Sequence, residues 1–264
     1  MGLSRQEVYI GDFFEQAQVL KDSWGRTDLY STGLPFLDAK LHGGYGRKNG
    51  YEIVLLYGPT GIGKSTVALN FVAPAIKKGV KVGLLVLEDD MADVSNRMSH
   101  ILSTAEYLQM NKMNNVRCMP EDELETSWTL QDLLQYIEDW FNDGVELILV
   151  DHLQFAFENA DAIKGENEYI AQRVFMQKLN QLMKRTKKTI ILISHVNKAA
   201  GAKGMDKIVG SGSIAQAATK VIEISEDKAI SDNIKLDLRK SRFTKRIGYP
   251  IDIRMVNSKL EMKS

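Results

Sequence analysis

Residues 53–73 constrain the fold more than any other stretch of this chain. The apolar run Ile53-Val54-Leu55-Leu56-Tyr57 leads into Gly58-Pro59-Thr60-Gly61-Ile62-Gly63-Lys64-Ser65, and Thr66-Val67-Ala68-Leu69-Asn70-Phe71-Val72-Ala73 follows. The order is strand, glycine loop, helix, and the loop reads G-x-x-x-x-G-K-S. Gly58, Gly61 and Gly63 let backbone N–H groups turn inward around phosphate oxygens, and the helix N-terminus adds the positive end of its dipole. Lys64 is expected to reach the β- and γ-phosphates and the Ser65 hydroxyl to ligate Mg²⁺, with Thr66 the next residue of the site. The motif in its context reads as a site for ATP or another nucleoside triphosphate, not as a plain strand–helix turn.

The rest of the chain repeats the alternation. Val80–Leu87, Val116–Met119, Glu146–Val150 and Lys188–Ile193 read as strands; Asp93–Met110, Leu130–Phe141 and Glu168–Thr186 read as helices. Near-continuous apolar strands between helices predict an α/β fold, a mostly parallel sheet with helices on both faces. Val221–Ile224, Lys235–Arg239 and Tyr249–Val256 predict antiparallel strands at the C-terminal end. The 264 residues suit one large domain over 31–264, preceded by a helix and connector over 1–30. In residues 5–22, Ile10, Phe13, Phe14, Ala17, Val19 and Leu20 share a helical face that either covers this chain's own core or docks on a neighbouring subunit. Gly25–Thr32 reads as a linker.

Cys118 is the single cysteine, which excludes an internal disulfide and fits a reducing compartment. No apolar signal run opens the chain, and no stretch reaches the ~20 apolar residues of a membrane span. The expected location is therefore cytoplasmic (host cytoplasm for a viral chain), with the mitochondrial matrix the weaker alternative. Net charge is zero, but its distribution is uneven. Acidic residues outnumber basic ones by about 19 to 4 between Glu88 and Glu168, and basic outnumber acidic by about 9 to 1 from Ala171 to Gly210. These are either solvated helix faces or a local surface that grips phosphates.

Ligands of open α/β sheets sit at the carboxyl ends of the strands. Asp151 ends Leu147-Ile148-Leu149-Val150, where a carboxylate would hold Mg²⁺. Glu88 ends the strand after the phosphate-loop helix and is a candidate general base, with Asp89 and Asp90 as rivals. His195 ends a further strand, as a γ-phosphate ligand or as a structural histidine. Lys240-Ser241-Arg242 is either a surface basic cluster or the source of an arginine supplied across a subunit interface.

Together these motifs resemble the RecA-like P-loop NTPase motor domain of hexameric replicative helicases, the DnaB type and, more closely, its phage and mitochondrial relatives. The resemblance runs from Thr32 to Met262. It is carried by Ser31-Thr32-Gly33-Leu34-Pro35-Phe36-Leu37-Asp38 with Gly43-Gly44, and by Leu87-Glu88. Val150-Asp151-His152-Leu153-Gln154, Ile193-Ser194-His195-Val196-Asn197-Lys198, Gly210-Ser211-Gly212-Ser213-Ile214-Ala215-Gln216 and Leu238-Arg239-Lys240-Ser241-Arg242-Phe243-Thr244 complete it. It implies Glu88 as general base, His195 as sensor, and Arg242 as a finger acting in trans with Lys240 beside it at the nucleotide. Gln216 would link the γ-phosphate region to a DNA-facing loop. DNA-facing segments map to about 155–167 and 197–211, the second carrying Lys198, Lys203 and Lys207 among glycines. The implied activity is that of an ATP-dependent DNA helicase in replication, with Mg²⁺, single-stranded DNA, a hexameric ring, and a separate primase or polymerase as partner. Two departures stand out: Ile208-Val209 where a basic residue is usual, and Ala217-Ala218-Thr219 in place of an acidic stretch. The alternatives are a nucleotide-switched ATPase that loads or regulates a replication partner, and a recombination or repair filament ATPase.

Overall fold

A computed structural model describes residues 29–46, 50–87, 89–119, 129–153, 157, 168–195, 212–226, 233–242 and 250–262. Its elements, in chain order, are α1 (Pro35–Lys40), β1 (Glu52–Gly58), α2 (Lys64–Lys77), β2 (Val82–Val86), α3 (Met91–Ile101), α4 (Thr104–Met113) and β3 (Val116–Cys118). They continue with α5 (Leu130–Asn142), β4 (Leu147–Asp151), α6 (Glu168–Thr186), β5 (Thr189–His195), α7 (Gly212–Ala217), β6 (Lys220–Glu226), β7 (Asn233–Ser241), β8 (Ile251–Val256) and β9 (Lys259–Met262). The strands form one sheet in the order β3-β2-β4-β5-β1-β6-β7-β8-β9. Pairings from β3 through β6 are parallel and those from β6 through β9 antiparallel.

The central strand β1 is buried along its whole length, which explains its unbroken apolar run. Its side chains alternate between two cores. Val54 and Leu56 pack with α2 and α3 on one face, and Ile53, Leu55 and Tyr57 pack with α5 and α6 on the other. Among the described residues no helix is long and apolar enough to cross a membrane.

Three sequence expectations need correction. The segment 93–110 is two helices, not one. Ser103 adopts an extended conformation, its hydroxyl accepts from Glu106 N–H, and the Glu106 carboxylate caps the Ser103 N–H, so a new helix starts there. The expected linker is already folded by Tyr30, which pairs with Tyr45 in a β-bridge; Thr32 is buried, and its N–H and hydroxyl both donate to Asp38. The basic stretch on α6 and β5 is largely paired. Lys178 donates to Gln131 and Arg185 to Glu138 on α5, and Lys188 pairs with Glu146. The proposed helix over 5–22 lies outside the described residues.

One polar side chain ties the C-terminal hairpin to the phosphate-loop helix. Asn70 donates to Thr66 O (2.8 Å) and Ser258 O (2.7 Å) and accepts from Leu260 N (3.2 Å). Asn70→Ala is expected to lower the unfolding free energy by about 1–3 kcal/mol, read as a lower urea midpoint at unchanged m-value.

At the amino ends of the strands lies a buried ion pair. Glu52 and Lys220 are 0% and 4% exposed and meet at 2.5 Å. The Thr219 hydroxyl accepts from Ile53 N–H (3.0 Å) and donates to Glu52 Oε1 (2.7 Å). Thr219, which departs from the acidic stretch of the resembling family, thus anchors the start of β6 to β1.

Candidate nucleotide site

β1 delivers the chain to the carboxyl edge of the sheet, where Gly58 pairs with His195 of β5. A side chain at Gly58 is excluded by close approach: a Cβ would lie 2.4 Å from the Ile224 carbonyl oxygen of β6. The loop then turns through left-handed conformations at Gly61 (φ 80°) and Gly63 (φ 86°), which glycine adopts without steric cost. Gly63 caps α2 without a side-chain hydrogen bond, so the first N–H groups of α2 are offered to an anion.

Lys64 is buried, and its ammonium donates to Pro59 O (2.9 Å) and His195 Nδ1 (3.0 Å). An ammonium group only donates, so Nδ1 of His195 is the acceptor and carries no proton. Burial, the Lys64 charge and then His152 push the His195 pKa down to about 4, so the imidazole is neutral at physiological pH. The Thr60 hydroxyl lies 3.3 Å from the same nitrogen, and the His152 ring meets His195 edge-on at 4.2 Å.

Asp151 and His152 are buried at the end of β4, which lies beside β5. The order β4-β5-β1 thus gathers Asp151, His195 and the phosphate loop along one sheet edge. Ser65, in the first turn of α2, is half-buried. The Leu87 N–H donates to Asp151 O (2.6 Å), holding the chain after β2 against the end of β4. Glu88 follows and lies outside the described residues. Its rivals have other duties: Asp89 pairs with Arg97 at 2.5 Å, and Asp90 caps α3 by accepting from Ala92 N–H.

Three predicted site residues are not at this edge. Arg242 N–H donates to Thr219 O (2.9 Å), and Thr219 N–H donates to Ile53 O (2.8 Å). Arg242 is therefore level with the start of β1, five residues below Gly58, or about 16 Å along a strand. Lys240 and Gln216 lie with it at that end. Lys198, Lys203 and Lys207 lie outside the described residues.

The sequence reading missed Thr60, His152 and Asn70. Asn70 alone had a signal, as a polar residue inside the apolar run Val67–Ala73.

A strand, a left-handed glycine loop and an uncapped helix around a buried lysine define a P-loop nucleotide site. The model of the AAA domain family matches residues 46–201, and the chain belongs to that family. A search of curated protein sequences finds no match. One solved helicase ATPase domain superposes with a TM-score of 0.75 at 13% identity, over 98% of this chain and 100% of that one. A KaiC-like protein of the archaeon Pyrococcus horikoshii OT3 gives 0.69 at 19% identity, over 90% and 100%. A DnaB-like replicative helicase, solved in a study of its interactions with primase, gives 0.70 at 12% identity, over 97% and 67%. The fold is thus the RecA-like P-loop NTPase fold that replicative-helicase ATPase domains share.

The donor set suits Mg²⁺. Ser65 and Asp151 offer a hydroxyl and a carboxylate, both hard oxygen donors. Among the described residues no three or more His, Cys, Asp or Glu side chains gather into a cage. Mg²⁺ is typically held by one or two protein oxygens together with substrate phosphates and water.

Proposed function

We propose that this chain is the NTP-hydrolysing motor of a ring-forming DNA helicase that translocates on single-stranded DNA in replication. The observation that carries this reading is the separation of Arg242 from the phosphate loop of its own chain. An exposed arginine about 16 Å down the sheet from Gly58 serves a phosphoryl group only if another chain supplies that group. The site then lies between subunits, as a closed head-to-tail ring requires.

Arg242 is also the most available cation of its strand. Arg239 is held by Glu223 (2.6 Å) and Asp237 (3.1 Å), whereas Arg242 is bound through its side chain to one backbone carbonyl.

In this reading the loop N–H groups and Lys64 bind the β- and γ-phosphates. Mg²⁺ held by Ser65 and Asp151 would neutralise charge on the phosphate oxygens. Glu88 orients and deprotonates the attacking water, a role left to it once Asp89 and Asp90 are otherwise engaged. Lys64 must exchange His195 Nδ1 for a phosphate oxygen, so His195 is a neutral group whose partner changes with nucleotide state.

With the cations of α6 paired to α5, the lysines at 198, 203 and 207 are the remaining carriers of DNA contact. No aromatic residue stands among them, which favours sequence-independent backbone tracking. The primase contact of the DnaB-like relative extends the proposal to a primase partner.

The test is NTP turnover with and without single-stranded DNA, alongside native mass with a non-hydrolysable nucleotide. Stimulation by DNA and a closed oligomer are expected. A monomer that DNA does not stimulate contradicts the proposal.

A further inference from the structure

α7 is a six-residue helix whose last carbonyls have no partner within the helix. Two cations from the end of β7 and the residue after it satisfy them. Lys240 Nζ donates to Ala215 O (2.7 Å) and Gln216 O (2.9 Å), and Arg242 Nη2 donates to the same Gln216 O (2.8 Å). Cations here also meet the negative end of the helix dipole. The two are not equivalent. Lys240 is half-buried and commits two of its three protons to α7, while Arg242 is exposed and commits one of five.

We propose that Lys240 is a positioning residue that clamps α7 to the finger strand, and that Arg242 is a second, releasable cap on the same carbonyl. The inference rests on the reading of Arg242 as a finger for a neighbouring chain. When phosphates on that chain draw Arg242 away, Gln216 O keeps Lys240, and α7 moves with β7 as one body. A lysine whose protons are directed at two backbone carbonyls is poorly placed to contact nucleotide, the role the family resemblance gives it.

The clamp carries its own chemical signature. Burial and then the Arg242 charge lower the Lys240 pKa to about 8. The other charges nearby, Lys220 and Glu52 on the adjacent strands, pair with each other, and the described side chains of α7 (214–217) add no charge. Lys240 therefore sheds its proton as pH rises through about 8, whereas an arginine at 240 would stay charged.

Amide hydrogen exchange at Ala218, whose N–H bonds to Ile214 O at the end of α7, reads the clamp directly. The full-length chain is compared as wild type, K240R, K240M and R242A at pH 7 and pH 9. K240M is expected to exchange about tenfold faster than K240R at both pH values. Wild type should match K240R at pH 7 and move towards K240M at pH 9. R242A should stay within about threefold of wild type, since Lys240 still caps both carbonyls.

Wild-type protection in K240M at both pH values overturns the clamp. So does loss of protection in R242A as large as that in K240M. The wild-type against K240R comparison needs no disruptive variant, and equal behaviour at pH 9 also counts against the proposal. Full hydrolysis by R242A would instead refute the finger reading, while the K240M result would still report on the clamp.

Discussion

Replacing Arg242 with alanine is expected to lower steady-state NTP turnover by about 10³–10⁵-fold, with nucleotide binding within a few-fold of wild type. The asymmetry follows from geometry. The groups that hold the ground-state phosphates, Lys64 and the N–H groups of α2, belong to the same chain and are untouched by the substitution. The guanidinium acts on charge that develops only during transfer, so its loss appears in kcat. Arg242→Lys should recover little, because a point charge does not reproduce the planar fork. Steady-state kinetics and equilibrium binding of a fluorescent nucleotide separate the two effects. Parallel losses of binding and turnover would mean that Arg242 supports the fold rather than the transferred phosphoryl group.

The second large effect concerns stability. Lys220→Met leaves the Glu52 carboxylate buried with the Thr219 hydroxyl but without its cation, and is expected to cost about 3–5 kcal/mol. Glu52→Leu strands the ammonium and should cost a similar amount. The double variant removes both charges and is expected to lie near wild type, or above it by as much as about 4 kcal/mol. Urea unfolding of the three variants closes the cycle, and additive single effects would refute the pairing. Because Thr219 and Lys220 begin β6 beneath the strand that carries Arg242, the single variants should also disturb the finger's position.

The parallel half of the sheet was legible because fully buried strands read as unbroken apolar runs. Glu168–Thr186 emerges with the same bounds as expected. Asp151 and His195 were identified by their place at strand ends, and the structure puts both at the edge occupied by the phosphate loop. The break at Ser103 was overlooked because apolar residues continue through Ile101 and Leu102, although Ser103-x-x-Glu106 carries the capping signature. The hairpin joining β8 to β9 turns through Asn257 and Ser258, both at positive φ and without the usual glycine, so β9 gave little warning. Charge along the chain misled for another reason. Lys178 and Arg185 meet partners 47 positions away on α5, contacts that only the layering of the two helices creates. The distance between Arg242 and its own phosphate loop is likewise a matter of register between strands, invisible in the linear order.

The most direct measurement is complementation between two defective chains. Lys64→Ala lacks the phosphate-binding lysine but keeps the finger; Arg242→Ala keeps the lysine but lacks the finger. Each is expected to be inactive alone. Co-assembled in equal amounts, about one interface in four pairs an intact loop with an intact finger, so turnover should return to about a quarter of wild type. No recovery in mixed oligomers of verified composition, or substantial activity of Arg242→Ala alone, would contradict a nucleotide site shared between neighbouring chains.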